Sequence, residues 1–384
     1  MTTERPWLTL LAGCIVTATL GSVHAFSVFL VPFETLFGSS RSSVSLVYSL
    51  ALVSLTVLVL IGHRIFDVVK PAALASFACM AAAAGLVLAS VMNSLAGLYV
   101  GYGVIFGAAN GIGYGFVLQL VAQAMPTSAG LAMGTVTAVY AVGSIVFAKL
   151  YAQLLPDYTP AQTLLVMAGV LAASALLVHV LLSLSRARYH ATEGAQTTED
   201  GTTYGLVFRL WLGYGTGSAA GLMAIGHATG IVADRGGAAG LMVAGAMTIG
   251  AGNALGGVVA GYVADRIAPR LALIMLPAAS CAALLVLLVT TGPMVTVILL
   301  AAVGVCYGAI IAAYPAAVAA FFGLADAPRI YGRVFTAWGL AGLLAPWTAG
   351  LLFDRAQSYA TPVIVAAMLS LVSAVLALCM PRER

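Results

Sequence analysis

The chain has 384 residues, of which 62% are hydrophobic and only 7% are charged. Soluble proteins carry about 25% charged residues, so this composition excludes a soluble enzyme and predicts a chain that lies in a lipid bilayer. A disordered or nucleic-acid-binding chain is excluded because it needs a charge density that this sequence lacks. A transmembrane β-barrel is excluded because it needs strands of roughly 10 residues with alternating hydrophobicity.

The five cysteines each stand alone inside an apolar run, without a CxxC pair or a neighbouring histidine cluster. Isolated cysteines of this kind behave as small hydrophobic residues. The sequence therefore predicts no metal site, no redox site and no cofactor. It also lacks the phosphate-binding loop of a primary pump and the HExxH motif of a membrane protease, so an enzyme is not expected.

Twelve apolar stretches occur in two groups of six, each long enough to cross a bilayer. The polar segment from Ser185 to Tyr204 separates the groups and has the composition of a solvated linker. We therefore predict an all-α membrane protein with two pseudo-symmetric six-helix bundles, at residues 1–184 and 205–384, joined by a linker at 185–204. The stretches lie near residues 8–30, 43–61, 71–91, 95–121, 130–153, 161–183, 206–231, 238–262, 271–291, 294–320, 334–353 and 358–379.

Basic residues fall mainly on one side of this arrangement. With a cytoplasmic N-terminus, 12 of the 16 Lys and Arg residues lie in inside loops and 4 lie in outside loops. Because basic residues favour the cytoplasmic side, we expect both termini and the linker in the cytoplasm. This arrangement predicts a multi-pass protein of a bacterial-type inner membrane.

A short internal repeat links the two groups of stretches. The sequence Gly-Ala-Ala-Asn-Gly at 107–111 recurs as Gly-Val-Cys-Tyr-Gly at 304–308, which lies 197 residues later and maps the fourth stretch onto the tenth. Asp67 and Asp265 are 198 residues apart. Two such repeats with one linker are typical of secondary transporters, which bind their solute near the middle of the bilayer.

The two aspartates belong to a motif that follows the second stretch of each group. In the second half it reads Gly-Tyr-Val-Ala-Asp-Arg-Ile-Ala-Pro-Arg at residues 261–270, and residues 62–70 hold a degenerate copy. In this motif and its six-plus-six stretches the chain resembles the major facilitator superfamily. The resemblance implies that fold, alternating access, and a gating role for Asp67, Asp265 and Arg266, which latch one access state. A cluster that only sets the topology is the alternative.

Four glycine-containing stretches carry a narrower resemblance: Gly21–Phe29, Asn110–Gly115, Gly221–His227 and Tyr331–Gly339. In them the chain resembles the oxalate/formate antiporter and bacterial monocarboxylate transporter group of that superfamily. Carboxylate-carrying members resemble one another in having an Arg four residues after an Asn in span eight. Here the residue four positions after Asn253 is Gly257. The position of a Lys in the oxalate carrier is Trp338 here. These departures argue against a dicarboxylate as the solute. A carboxylate could still be bound here by neutral hydrogen-bond donors or by a protonated histidine.

His24 is the first candidate for a solute or proton site. It shares a face of the first span with Thr17 and Gly21, small residues that allow the face to line a cavity. Its ordinary pKa of about 6.5 lets it change charge near neutral pH. No Asp, Glu, Lys or Arg lies near the middle of a predicted span. The alternative is a neutral histidine bonded to a backbone carbonyl of a neighbouring helix.

Four further side chains are candidates for solute binding through hydrogen bonds. Asn110 and Tyr114 share a face of the fourth span, and Tyr307 lies on the matching face of the tenth. Asn253 points the same way as Gly257, beside the space that the missing Arg leaves. Asn and Tyr side chains both donate and accept, so they are suited to a carboxylate, a hydroxyl or an amide. The alternative is helix packing, with tyrosines as interface anchors.

Trp338 and His227 are the remaining candidates. Trp338 lies four residues into span eleven and is expected to cover the solute from the cytoplasmic side, with an interfacial Trp as the alternative. His227 lies four residues before the outer end of span seven. We assign it to an outer gate, with simple wetting from outside as the alternative.

These features predict a secondary transporter or facilitator that moves a small organic solute by alternating access. A monocarboxylate in symport with H+ is the best single choice. A facilitator of a neutral polar solute and a non-transporting membrane sensor of the same fold are the alternatives. The expected partners are a small-molecule substrate, H+ and the lipid bilayer, without nucleic acid, and the resemblance implies a monomer.

Overall fold

The structure is a computed structural model in which the chain is helical apart from short connections, as the sequence predicts. The predicted gating residues Asp67, Asp265 and Arg266, and residues 190–200 of the predicted linker, lie outside the described residues. The structure describes residues 5–66, 68–189, 201–264, 268–323 and 326–381.

Within the described residues, twelve long helices follow the twelve predicted stretches in chain order. A short helix, Ala228–Asp234, follows the seventh of them. The helices of the first group are α1 Pro6–Phe37, α2 Arg41–Ile61, α3 Pro71–Met92, α4 Leu95–Ala124, α5 Ala129–Leu154 and α6 Pro160–Ser185. The helices of the second group are α7 Gly201–Gly226, α8 Ala239–Ala264, α9 Pro269–Val289, α10 Pro293–Phe322, α11 Ala327–Ala356 and α12 Ala360–Leu378.

Eleven helices of the described chain are long and apolar enough to cross a membrane. Helix α7 is long enough but is not one of the eleven, because Arg209 and several glycines make its sequence less apolar. Length and composition therefore make this a multi-pass integral membrane protein, as predicted.

Local sequence signals explain where several helices begin and end. Helix α6 begins at Pro160, after a capping box in which Thr159 accepts from the backbone N–H of Gln162 and donates its own N–H to the Gln162 side chain. Asn93 and Gln357 directly follow the last residues of α3 and α11, and they adopt the left-handed conformation with φ of 37° and 52°.

The chain divides into two compact units. The first comprises the described residues up to 189 except Ser40–Ser42, and the second comprises Ser40–Ser42 and the described residues from 201 onward. In the first unit α1 packs on α4, α5 and α6, and α3 packs on α6. In the second unit α7 packs on α10, α11 and α12, and α9 packs on α12. Helices in equivalent positions of the two groups therefore form equivalent pairs.

The glycines of the internal repeat allow close helix contacts in both units. A Cβ atom on Gly111 would lie 2.2 Å from the carbonyl oxygen of Leu55 in α2. A Cβ atom on Gly308 would lie 1.9 Å from the carbonyl oxygen of Asn253 in α8. Only glycine permits these distances, so the repeat in the sequence corresponds to a repeat in packing, α2 on α4 and α8 on α10.

Helix α1 changes its geometry halfway along. Residues Pro6–Leu20 are α-helical, Gly21–Phe29 form a 3₁₀ segment, and Leu30–Phe37 are α-helical again. Runs of 3₁₀ helix longer than about four residues are uncommon and often mark functional sites. The change begins at Gly21, where a Cβ atom would lie 1.9 Å from the carbonyl oxygen of Tyr140 in α5. The sequence predicts one uninterrupted apolar helix here, because an apolar pattern does not reveal this contact.

Candidate functional site

His24 lies in the 3₁₀ segment of α1 and is half-buried, while the residues on either side of it are buried. Its Nδ1 atom shares a hydrogen bond of 2.5 Å with the hydroxyl of Tyr48 in α2. Its ring lies edge-on to Tyr140 in α5, with 5.6 Å between the ring centroids. Nε2 makes no hydrogen bond with another described residue and is therefore available to a solute or a proton. The imidazole of His24 is thus bonded to a hydroxyl. The sequence also allowed a bond to a backbone carbonyl of a neighbouring helix, and the structure shows none among the residues it describes.

Asn110 is completely buried in α4, and both ends of its amide are bonded. Nδ2 donates to the carbonyl oxygen of Leu20 at 2.7 Å, and Oδ1 accepts from the Tyr140 hydroxyl at 3.0 Å. Leu20 is the last residue before the 3₁₀ segment of α1. Asn110 therefore links α1, α4 and α5 at the point where α1 changes geometry.

Tyr140 connects the three candidates of the first unit. Besides bonding Asn110 and facing His24, its ring lies 4.9 Å from the ring of Tyr114, centroid to centroid. Tyr114 is half-buried, and its hydroxyl lies 3.4 Å from Oγ1 of Thr137. The structure thus brings together three sequence-predicted residues around Tyr140, which no motif in the sequence indicates.

Tyr307 and Trp338 form a buried pair in the second unit. Nε1 of Trp338 donates to the Tyr307 hydroxyl at 2.9 Å, and the two residues are 6% and 3% exposed. Trp338 also stacks on Phe335, with 5.4 Å between ring centroids. The Tyr307 ring lies against Gly221, where a Cβ atom would lie 2.3 Å from Cδ2. A Trp of the interfacial belt exposes its polar edge to headgroups, whereas this one bonds a tyrosine inside the unit.

Asn253 is half-buried in α8, and its amide makes no hydrogen bond with another described residue. Its side-chain oxygen lies beside α10, 2.8 Å from the position of a Cβ atom on Gly308. A Cβ atom on Gly257, one turn further along α8, would meet only the carbonyl oxygen of Gly308, at 3.8 Å. The Asn253 amide therefore lies one turn from a position where an added Cβ atom would meet a single backbone atom at van der Waals distance.

His227 lies at the break between α7 and the short helix that follows it, and it is completely buried. Nε2 lies 2.8 Å from the carbonyl oxygen of Pro346 in α11, and Nδ1 lies 2.9 Å from the Tyr359 hydroxyl. A carbonyl only accepts, so Nε2 carries the hydrogen and a neutral ring accepts at Nδ1 from Tyr359. His227 is therefore fixed inside the unit instead of being wetted from outside.

Arg41, which belongs to the second unit, extends this chain of hydrogen bonds. Its Nη1 atom donates to the Tyr359 hydroxyl at 2.9 Å. Asp354 accepts from the backbone N–H of Arg41, also at 2.9 Å. The donors therefore run in one direction, from Arg41 to Tyr359, from Tyr359 to His227, and from His227 to the carbonyl of Pro346.

The interior of the described chain is mainly apolar, and the polar side chains buried in it are uncharged. Its buried polar side chains are those of Ser, Thr, Asn, His, Tyr and Trp, and no Asp, Glu, Lys or Arg that the structure describes is buried. The described residues also contain no group of three or more metal-ligating side chains. Side chains of this kind can form hydrogen bonds with a polar solute, and a histidine among them can carry a positive charge reversibly.

Three partners in these networks were missed in the sequence: Tyr48, Tyr140 and Tyr359. Each contacts a candidate histidine from another helix, 24 or more residues away along the chain. No spacing rule within one helix connects such positions. The available signal is a tyrosine in the middle of an apolar stretch, which for Tyr48 and Tyr140 is visible in the sequence.

Two groups of six helices with equivalent internal packing, polar residues within apolar helices and a repeat in sequence define a secondary-transporter fold. Comparison with known proteins supports this class. The chain is 24% identical over 349 residues to the uncharacterized MFS-type transporter YhjX of Escherichia coli, a match that covers 88% of this chain and 86% of that protein. No protein-family profile matches the chain.

Three solved structures share the fold over nearly the whole chain. A bacterial homologue of the human lysosomal transporter Spinster, inward-facing and unoccupied, has a TM-score of 0.74 at 14% identity and covers 99% of this chain and 97% of its own. The nucleoside transporter NupG has a TM-score of 0.75 at 13% identity, with 97% and 99% covered. A D-xylose-proton symporter has a TM-score of 0.75 at 11% identity, with 98% of each chain covered.

At these identities the solved structures show the fold alone. The chain therefore has the fold of MFS-type transporters, which confirms the predicted fold class. The comparisons support the superfamily and do not single out the oxalate/formate and monocarboxylate group.

Proposed function

We propose that this protein is a secondary transporter of a small organic solute that it binds without a fixed charge. The observation that carries the proposal is the interior of the described chain, where polar side chains occur inside apolar helices and all are uncharged. Polar groups in a membrane interior are costly, and they are commonly found where a solute or ion passes.

In each unit, side chains that can donate or accept a hydrogen bond are proposed to bind the solute. In the first unit these are His24, through its open Nε2, and Tyr114. In the second unit they are Asn253, Tyr307 and Trp338. Alternating access is proposed from the transporter fold, and each set of side chains is assigned to its own unit.

A monocarboxylate moved together with one proton fits this site best. A protonated His24 carries one positive charge, and a monocarboxylate carries one negative charge. The pair is neutral overall, so it avoids much of the cost of taking a net charge into an apolar interior. A dicarboxylate would leave one negative charge without a partner, since no buried Arg or Lys occurs among the described residues.

The gating residues are proposed on different grounds. His227 is proposed for the outer gate because it lies at a helix break and bonds both α11 and Tyr359. Asp67, Asp265 and Arg266 are proposed for the cytoplasmic gate on the sequence motif alone.

A second candidate is a facilitator of a neutral polar solute. The glycine at position 257 favours it, because carboxylate carriers of the resembling group place an Arg there. A neutral solute would need only the amide, hydroxyl and indole groups of the site.

Uptake into proteoliposomes tests the proposal. Labelled lactate, pyruvate, formate and uncharged erythritol are supplied at an outside pH of about 5.5 or 7.5, which brackets the ordinary pKa of histidine. Protein-free liposomes measure passive entry of the undissociated acids. We expect saturable acid uptake that is faster at the lower outside pH. Uptake of erythritol alone would support the facilitator, and solute binding without uptake of any solute would contradict transport and favour a sensor.

A further inference from the structure

The carbonyl groups at the start of the 3₁₀ segment of α1 receive hydrogen bonds from α4. Nδ2 of Asn110 donates to the carbonyl oxygen of Leu20 at 2.7 Å. The hydroxyl of Tyr102 donates to the carbonyl oxygen of Val23 at 3.5 Å. A change from α to 3₁₀ geometry alters which backbone N–H group donates to each carbonyl oxygen. Side-chain donors to the carbonyls at the junction therefore stabilise the 3₁₀ segment.

Tyr140 holds the same junction from α5. Its carbonyl oxygen occupies the place of a Cβ atom on Gly21, and its hydroxyl donates to Oδ1 of Asn110 at 3.0 Å. One hydrogen-bond partner of the Asn110 amide is therefore the backbone of α1. The other is the side chain of Tyr140, a residue that itself contacts α1. With one donor and one acceptor already bonded in a fully buried residue, the amide is better placed to fix α1 than to hold a solute.

His24 lies four residues beyond Leu20, on the segment that these contacts fix. Its ring is bounded by Tyr140 on one side and bonded to Tyr48 through Nδ1, and Nε2 remains available. A 3₁₀ segment turns by about 120° per residue instead of 100°, so four residues of 3₁₀ geometry rotate a side chain by roughly 80° relative to a continuous α-helix. The direction of the imidazole therefore depends on where the geometry changes.

We propose that Asn110 and Tyr140 are positioning residues, which fix the 3₁₀ segment of α1 so that His24 bonds Tyr48 through Nδ1 and presents Nε2 to the solute. The proposal rests on the proposed function only in naming the solute as the partner of Nε2. The arrangement of His24, Tyr48, Asn110 and Tyr140 itself needs no solute.

The test uses nitrogen NMR of the full-length protein, labelled with 15N-histidine, in lipid bilayers without solute. His24→Gln identifies the signals of His24, and Tyr48→Phe gives the spectrum of an imidazole that has lost its Nδ1 partner. Asn110→Ala and Tyr140→Phe are then compared with these references. Tyr99→Phe is the matched control, because it also removes a hydrogen bond from α4 to a backbone carbonyl, that of Ser43 at 2.9 Å.

We expect the His24 signals of Asn110→Ala and Tyr140→Phe to move toward those of Tyr48→Phe, and those of Tyr99→Phe to stay in place. Unchanged His24 signals in the two test variants would overturn the proposal. If Asn110→Ala does not fold, Tyr140→Phe decides alone, since it keeps the ring and the backbone contact with Gly21.

Uptake assays separate this proposal from the proposed function. Loss of one buried hydrogen bond corresponds to a fall of roughly tenfold in kcat/KM, and the double variant is expected to lose no more than either single variant, because the two residues act as a unit. If the losses of kcat/KM in the two single variants simply add in the double variant, Asn110 and Tyr140 do not act as a unit. Shifted His24 signals in a protein that transports none of the tested solutes would refute the function and leave the positioning role supported.

Discussion

Nε2 of His227 lies 2.8 Å from the carbonyl oxygen of Pro346, and this contact fixes the protonation pattern of the ring. The carbonyl requires a hydrogen on Nε2, and Tyr359 then donates to Nδ1. A second proton on His227 would remove the acceptor that Tyr359 uses. His24 differs, because its Nε2 has no partner among the described residues. The two histidines therefore suit different tasks, His227 a fixed contact and His24 a reversible one.

Replacing His227 by Leu is expected to lower the stability of the protein. The variant has a side chain of similar size, but it removes the hydrogen bonds of His227 with the Tyr359 hydroxyl and the Pro346 carbonyl. A buried group that loses its hydrogen bond costs about 1–3 kcal/mol, so the free energy of unfolding should fall by that amount. Thermal denaturation in detergent measures it, with the exposed His179→Leu as the control. Equal melting temperatures for the two variants would contradict the role given to His227.

The glycines of the internal repeat are expected to tolerate no side chain. Gly308→Ala places a methyl group 1.9 Å from the Asn253 carbonyl, and the resulting shift of α8 or α10 should cost about 1–3 kcal/mol. Gly134→Ala in α5 is the control, because a Cβ atom there meets nothing within 4 Å. This control should match or exceed wild-type stability, since Ala favours a helix by about 0.5–1 kcal/mol over Gly. A Gly308→Ala protein as stable as Gly134→Ala would refute the packing described for α8 and α10.

Asp354 is expected to stabilise the beginning of α2. Its two carboxylate oxygens accept from the backbone N–H groups of Arg41 and Ser42, both at 2.9 Å. Loss of a capping side chain costs about 0.5–2 kcal/mol, so Asp354→Ala should unfold at a lower temperature than wild type. Asp157→Ala removes an exposed carboxylate and should have little effect. Similar melting temperatures for both variants would argue against the cap.

Trp338 and Tyr307 are expected to act on the solute as a pair. Trp338→Phe removes the donor of their 2.9 Å hydrogen bond, and Tyr307→Phe removes its acceptor. Each variant should weaken solute binding by roughly tenfold, the scale of one lost buried hydrogen bond. Equilibrium binding to the single and double variants measures the coupling. Fully additive losses would show that the bond between them has no part in binding.

The sequence predicted the helices and the class of fold well because these depend on local signals. The twelve apolar stretches correspond to twelve long helices in the part of the chain that the structure describes, and Pro160 with its capping box begins α6 close to the predicted residue 161. The repeat at 107–111 and 304–308 also corresponds to equivalent packing in both units. Hydrophobicity, helix capping and glycine packing each act over a few residues, so a single sequence reveals them.

The details of the site depend on contacts between distant residues, and these the sequence did not reveal. The sequence singled out His24 and Asn110 but not Tyr48 and Tyr140, their partners from other helices. Nor did it predict the 3₁₀ segment of α1, because Gly21–Phe29 has the apolar composition of a continuous helix. The 3₁₀ segment begins where the backbone of α5 at Tyr140 contacts Gly21, and the local sequence does not reveal this contact.

His24 is proposed to bind the solute together with a proton. Proteoliposomes containing wild type, His24→Gln or His179→Gln are compared for lactate uptake at an outside pH of about 5.5 and 7.5, on either side of the ordinary histidine pKa. Protonation of His24 from the acidic side should stimulate uptake by wild type and by His179→Gln, whose altered residue is exposed on α6. Stimulation should be lost in His24→Gln while that protein remains folded. Full acid stimulation in His24→Gln would contradict the account.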